Sequence, residues 1–156
     1  IALAPTKNIK RYEWFLEKAT EIGIDEITPI ACFHSERRHW KTERANRIIE
    51  AAMKQSLKAY HPVLNEMISF EELVAYNFTG SRYLAYYDSK NPRSIKNLYQ
   101  PGDDAMILIG PEGEFSGHEI NLALEHGFQL VGLGKSRLRT ETAGVVACTL
   151  INLLNS

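Results

Sequence analysis

Two glycine-bracketed turns carry the residues of this 156-residue chain that could do chemistry. One is Leu133-Gly-Lys-Ser-Arg-Leu-Arg-Thr-Glu-Thr-Ala143, between the apolar run Phe128–Leu133 and a helix-like segment, Thr142–Leu154. Gly132 and Gly134 bracket this turn, where glycine takes backbone angles closed to other residues. Arg137, Arg139 and the cluster Thr140-Glu141-Thr142 then fall where a helix opens, a place of free backbone N–H groups and capping hydroxyls. The other is Ile109-Gly-Pro-Glu-Gly-Glu-Phe-Ser116, which leaves a strand-like Ala105–Ile109 and enters a helix through the capping-box sequence Ser116-Gly-His-Glu119. Such turns at the ends of neighbouring strands can form a pocket for a small ligand. Neither turn holds an evident nucleophile or a pair of acid/base carboxylates. This suits a flat adenosine-type ligand gripped by main-chain groups, the ligand itself carrying the reactive group. Tight turns flanked by surface or ion-paired arginines would give the same residues.

Other chemistries fail on spacing. Gly134-Lys135-Ser136 could close a P-loop only with a glycine at position 129, which is Gln129. The third glycine of a dinucleotide fingerprint would fall at Arg137. Gly113-Glu-Phe-Ser116-Gly117 has Glu114 two residues before the serine, so it is no nucleophile elbow. Cys32 and His34 read as sharing a strand face, but no further ligands accompany them, and no metal site is expected. Cys32 and Cys148 read as buried free thiols.

The elements that must position these turns follow in order. Ile1–Ala4, ended by Pro5, reads as a strand, and Lys10–Gly23 as a helix stopped by its glycine. Asp25–Phe33 is a β-branched strand in which Pro29 predicts an edge position or a bulge. Lys41–Ala59 is a helix whose charged face carries Arg44, Arg47, Lys54 and Lys58. Pro62–Ile68 reads as a short strand, Phe70–Phe78 as a short helix, Tyr83–Tyr87 as a strand ending at Asp88, and Asn91–Gly102 as a loop with room for one helical turn. Strands alternating with helices predict an α/β domain with a largely parallel sheet. At this length one domain is expected.

The formal net charge of −1 excludes a uniformly basic nucleic-acid binder. Charge is uneven, however: Arg37, Arg38, Lys41, Arg44, Arg47, Lys54 and Lys58 face only Glu36, Glu43 and Glu50 between His34 and His61. No apolar run approaches the roughly 18–20 residues of a membrane span, and nothing resembles a signal peptide, so a cytoplasmic location with no membrane partner is expected. The start at Ile1, within an extended-looking Ile-Ala-Leu-Ala, reads as a domain cut from a longer chain.

The two turn motifs, taken together with Glu13-Trp14, Lys18-Ala-Thr-Glu-Ile-Gly23, Ser35-Glu-Arg-Arg38, Ala51-Ala52 and Gln55-Ser56, resemble in order the bacterial 16S rRNA uracil-N3 methyltransferases of the SPOUT class. The sequence departs from that family's pattern at Glu114, where glycine is usual, and at Lys135-Ser136, where a single proline-type residue is usual. The resemblance implies a SPOUT-type parallel sheet flanked by helices with a C-terminal trefoil knot, a homodimer, and S-adenosylmethionine held bent in the knot. It implies methylation of N3 of a uridine in the 16S rRNA of the small subunit, and a PUA-like N-terminal RNA-binding domain outside this chain. Carried over, the cofactor cradle would be Ile109, Gly110, Pro111, Gly113, Leu133, Gly134, Arg137, Leu138 and Thr140. Arg139 would stabilise the N3/O4 anion and Glu141 is the weaker candidate, for the base. Arg37, Arg38, Arg44 and Lys54, with Gln55 and Ser56, would meet RNA phosphates. Cys32, His34 and the two tryptophans are expected to pack. The rival reading is a non-catalytic RNA-binding or ribosome-assembly module with the same fold.

Overall fold

In the computed structural model, which describes residues 1–87 and 93–156, hydrophobic alternation along short strands builds a sheet with helices on both faces. The strands are β1 (Ala2–Leu3), β2 (Glu26–Ala31), β3 (Val63–Leu64), β4 (Ile68–Ser69), β5 (Ser81–Ala85), β6 (Ala105–Ile109) and β7 (Gln129–Val131). The helices are α1 (Ile9–Ile22), α2 (Thr42–Ser56), α3 (Phe70–Ala75), α4 (Ile95–Leu98), α5 (Gly117–Glu125) and α6 (Thr140–Leu154). The sheet order is β3-β2-β1-β6-β5-β7, with β4 also on β2, and every strand pairing among the described residues is parallel.

Successive strand residues point to opposite faces, and the core divides accordingly. Leu3, Tyr83, Ile107 and Ile109 join Tyr12, Phe15, Leu16 and Ile49 under α1, α2 and α6. Ala2, Ala4, Leu84 and Leu108 join Phe70, Val74, Ala123 and Phe128 under α3 and α5. The helices have the ends their sequences specify. Asn8 caps α1 by accepting from the Lys10 N–H at 3.1 Å, and Gly23 stops it at φ 123°. Ser116 and Glu119 form the expected reciprocal capping box on α5.

Several expected limits move. Pro62–Ile68 is not one strand but two short pieces, β3 and β4, that pair successively with β2. This corrects the placing of Pro29, since β2 is no edge strand and has β1 on its other side. The Thr28 N–H donates to Ile1 O and the Ile27 carbonyl accepts from Asn65, so Pro29 faces the gap between β3 and β4. No ladder bond is needed there, and the missing N–H costs nothing. α6 opens at Thr140, two residues before the expected Thr142. β5 leaves the sheet after Ala85; the expected limit at Asp88 and the loop start at Asn91 lie outside the described residues.

α6 is seated by a close approach. A Cβ added at Gly144 would lie 2.6 Å from Leu3 Cδ1 and from the Phe15 ring, all of them fully buried. Gly144→Ala is therefore expected to lower stability by about 1–2 kcal/mol, overpacking outweighing the gain in helix propensity. A urea-unfolding midpoint equal to that of the unaltered protein would show that the contact relaxes freely.

Candidate active site

The site forms where three adjacent parallel strands end. β6 delivers Ile109 and the turn 110–116, β7 delivers the turn 132–139, and β5, lying between them in the sheet, delivers Ala85, Tyr86 and Tyr87. Ligands collect beyond the carboxyl ends of such strands because the turns there expose backbone. A cavity of about 300 Å³ opens at this point, within the range of small-molecule sites. Its walls are largely apolar, from Ala85, Ile109, Pro111, Phe115, Leu133, Leu138 and Ala143. Polar character comes from the glycine turns and from Glu112, Glu114, Ser136, Arg137, Arg139 and Thr140.

Hydrogen bonds fix the turns to one another. The Thr140 hydroxyl donates to the Gly110 carbonyl at 3.0 Å, joining the start of α6 to the first turn. Gly132 N–H donates to Arg93 O at 2.7 Å, and its carbonyl accepts from Ile95 N–H at 3.3 Å. Lys7 N–H donates to Glu112 at 2.9 Å, which holds the far side of the first turn. Arg139 is the N-cap of α6 and makes no side-chain cap bond, so among the described residues no N-cap side chain occupies the first N–H groups of this helix, which can meet a polar group of a ligand. Gly134 has φ 152° and open space where a Cβ would stand, at the mouth of the cavity.

Eight of the nine residues expected to form the cradle line this cavity: Ile109, Gly110, Pro111, Leu133, Gly134, Arg137, Leu138 and Thr140. Gly113 lies outside the lining, its Cα backed by His34, whose Cβ would sit 2.9 Å from an added Cβ. Arg139 lines the cavity; Glu141 does not. The Glu141 carboxylate is buried with Oε1 3.9 Å from Arg11 Nε, and its Oε2 has no partner among the described residues. Ala85, Tyr86, Tyr87, Glu112, Glu114, Phe115 and Ser136 also line the cavity and were not anticipated.

Several basic residues serve internal contacts. Arg37 donates to the carbonyls of Thr6 and Lys7, and Arg38 to those of Cys32 and Phe33. Arg44 binds both oxygens of Glu13 and, mainly through that hydrogen bond, holds the Glu13 carboxyl below its ordinary range. Ser56 is turned back to the Ala52 carbonyl, while Lys54 and Gln55 are exposed. Cys32 and Cys148 are free and buried, and burial pushes the Cys148 thiol up to about 11. His34 does not pack in a core: it lies beyond β2, exposed, with Nδ1 3.1 Å from Glu114 O. Trp40 stacks edge-on against Tyr12, but Trp14 is 42% exposed. Among the described residues no cluster of His, Cys, Asp or Glu could hold a metal, and no helix is long and apolar enough to cross a membrane.

Glu114 is distinctive twice over. It stands at φ 62°, the left-handed region that favours glycine. Its carboxylate also reaches Arg137 at 2.7 Å, so one ion pair links the two turns across the cavity mouth. A β-branched residue tolerates that backbone poorly, and Glu114→Val is expected to cost about 1–2 kcal/mol, with Glu114→Gly more stable than Glu114→Val. Thermal unfolding of the two variants measures the difference, and equal midpoints would mean the turn adjusts its φ.

Comparison with known proteins gives concordant findings. A family model described as an RNA methyltransferase domain matches residues 1–152. The ribosomal RNA small subunit methyltransferase E of Mesomycoplasma hyopneumoniae is 33% identical, with 96% of this chain and 66% of that protein covered. Its counterpart from Synechocystis is 32% identical over 92% of this chain and 49% of its own length. The chain thus spans less than two thirds of the length of the second relative and 66% of the first. A crystal structure of a probable rRNA-methyltransferase from Porphyromonas gingivalis superposes with TM-score 0.92 at 48% identity, over 99% of this chain and 66% of that one. Another, ribosomal RNA small subunit methyltransferase E from Neisseria gonorrhoeae bound to S-adenosyl methionine, gives TM-score 0.87 at 26% identity, over 98% and 64%.

Proposed function

The chain belongs to the RNA methyltransferase domain family, and on that premise we propose that it methylates N3 of a uridine in the 16S RNA of the small ribosomal subunit, using S-adenosylmethionine. The observation that carries this reading is the three-strand-end cavity, apolar in its walls and rimmed by Arg139 and an α6 N-terminus with no side-chain cap. A flat adenosine would lie between Ile109, Leu133 and Leu138, its polar edge against the backbone of Gly110 and Gly134. The N–H groups at the start of α6 would take a carboxylate. When bound, the cofactor would supply an electrophilic methyl on a sulfonium; uridine N3 would take the methyl, the C–S bond pair would stay on sulfur, and the N3 proton would pass to a base or to water.

The residues of this chain then have two tasks. The cradle positions the reacting atoms in line, which is where most of the acceleration of such a transfer arises. Arg139 stabilises the negative charge that spreads over N3 and O4 as the proton departs. Glu141, oriented toward Arg11 and outside the cavity lining, is the weaker candidate for the base. Arg37, Arg38, Arg44, Lys54, Gln55 and Ser56 are the proposed RNA contacts; Arg37, Arg38 and Arg44 would use the edges of their guanidinium groups left over from their internal bonds. A homodimer, a cytoplasmic location, a PUA-like RNA-binding domain elsewhere in the full protein and a trefoil knot complete the proposal.

Calorimetric titration with S-adenosylmethionine, using ATP and NAD as controls, is the direct test. Saturable binding of the first alone is expected, and Gly134→Val should abolish it without unfolding the protein. No binding by a folded sample would favour the non-catalytic RNA module instead. In the full-length enzyme, Arg139→Ala is expected to leave cofactor affinity within a few fold while lowering turnover by about 10²–10³. Unaltered turnover would remove Arg139 from the chemistry.

A further inference from the structure

Phe33 is 71% exposed, while its backbone is bonded on both sides. Its N–H donates at 2.8 Å to Oε1 of the buried Glu119, whose Oε2 accepts the Ser116 N–H at 2.7 Å. Its carbonyl accepts from Arg38 at 3.3 Å. The preceding Cys32 N–H donates to the buried Ser35 hydroxyl at 2.9 Å, and the Ser35 N–H returns to Cys32 O at 3.1 Å, closing a tight turn. These bonds fix the backbone that carries the ring, so the exposed ring stands on a defined base at the surface.

The ring also has a defined setting. It meets the His34 imidazole edge-on, with centroids 5.0 Å apart and planes at 78°. His34 in turn rests on Gly113 and reaches Glu114 O at 3.1 Å. Glu114 lines the cavity and Gly113 stands in the same turn. The exposed aromatic is therefore linked through His34 to the turn that forms one wall of the candidate active site, and Glu119, which caps α5, accepts from both Phe33 and Ser116.

We propose that Phe33, framed by His34, is a stacking platform for an unpaired base of the RNA substrate, next to the base that enters the cavity. The proposal rests on the RNA-methylating reading. Sequence-specific RNA recognition uses splayed bases stacked on aromatic rings, with guanidinium groups beside them for phosphate. Phe33 supplies the ring and Arg38, adjacent and exposed, the cation. The geometry also accounts for a closeness that the cradle does not require: Gly113 lies against His34, and any larger residue there would displace the platform.

Binding of a short fluorescein-labelled oligouridylate, followed by anisotropy over a salt series, tests the platform, with calorimetry of S-adenosylmethionine on the same samples. Phe33→Ala is expected to weaken oligouridylate by about ten- to a hundred-fold without changing the salt slope, because stacking and not phosphate contact is lost. Phe33→Trp should retain affinity within about threefold, since every base stacks on either ring, and cofactor affinity should be unchanged in both. Equal RNA affinity in Phe33→Ala, parallel losses in Ala and Trp, or no oligouridylate binding by the unaltered protein would each overturn the proposal. Loss in Phe33→Ala alone, in a protein that binds no S-adenosylmethionine, would uphold the platform and remove the methyl-transfer reading.

Discussion

The contact on which the site depends most is the seat of α6. Gly144 lets the helix backbone approach Leu3 of β1 and Phe15 of α1 more closely than any side chain would allow. From that fixed point one turn back along the helix lie Thr140 and Arg139. Thr140 then fastens Gly110, so the position of the first turn is also inherited from α6. A core contact thus sets the width of the cavity. Side chains at its rim are placed by the helix axis and not by their own loop, which is how a site made largely of turns can be rigid.

Around that seat, the parallel sheet supplies convergence. β6, β5 and β7 end side by side, and the segments leaving them share one layer of hydrogen bonds through Gly132, Tyr86 and Thr140. The polar groups of this layer are directional: the start of α6, which no N-cap side chain bonds, the Arg139 side chain at the cavity and the Glu114–Arg137 ion pair. The apolar walls exclude water, and in a drier site these few groups act more strongly on developing charge than they would in solution. Arginines farther out have the opposite fate. Arg37, Arg38 and Arg44 are committed to carbonyls and to Glu13, so the local excess of positive charge serves the architecture of the loop before it serves any partner.

What was legible in the sequence was local. The strand Ala105–Ile109, the Ser116/Glu119 capping box and the glycine stop of α1 depend on neighbours a few residues apart, and they stand as read. The α/β class followed from alternating elements, and most of the cradle from two motifs. The unanticipated features are pairings over long separations. Nothing in Tyr83–Tyr87 says that its strand lies between β6 and β7, so the lining by Ala85, Tyr86 and Tyr87 was hidden, though an aromatic pair after an apolar strand was a usable hint. Pro29 could be placed only once β3 and β4 were known to leave a gap beside it. Cys32 and His34 were read as sharing a strand face, but the chain turns after Ala31, burying one and exposing the other.

The socket under α6 also bears on how the chain is made. Leu3 and Phe15 are synthesised well before Gly144, whose backbone packs against both of them. β1 waits similarly, gaining β2 early but its other neighbour, β6, only when Ala105–Ile109 has emerged. At ordinary translation rates that interval is on the order of 10 s. During it the nascent domain carries an unpaired apolar strand edge and an open pocket in its core, both templates for association with other chains. Completion of the fold therefore waits on α6: that helix closes the core and completes the cavity in a single event, and a product truncated before it would be left without either.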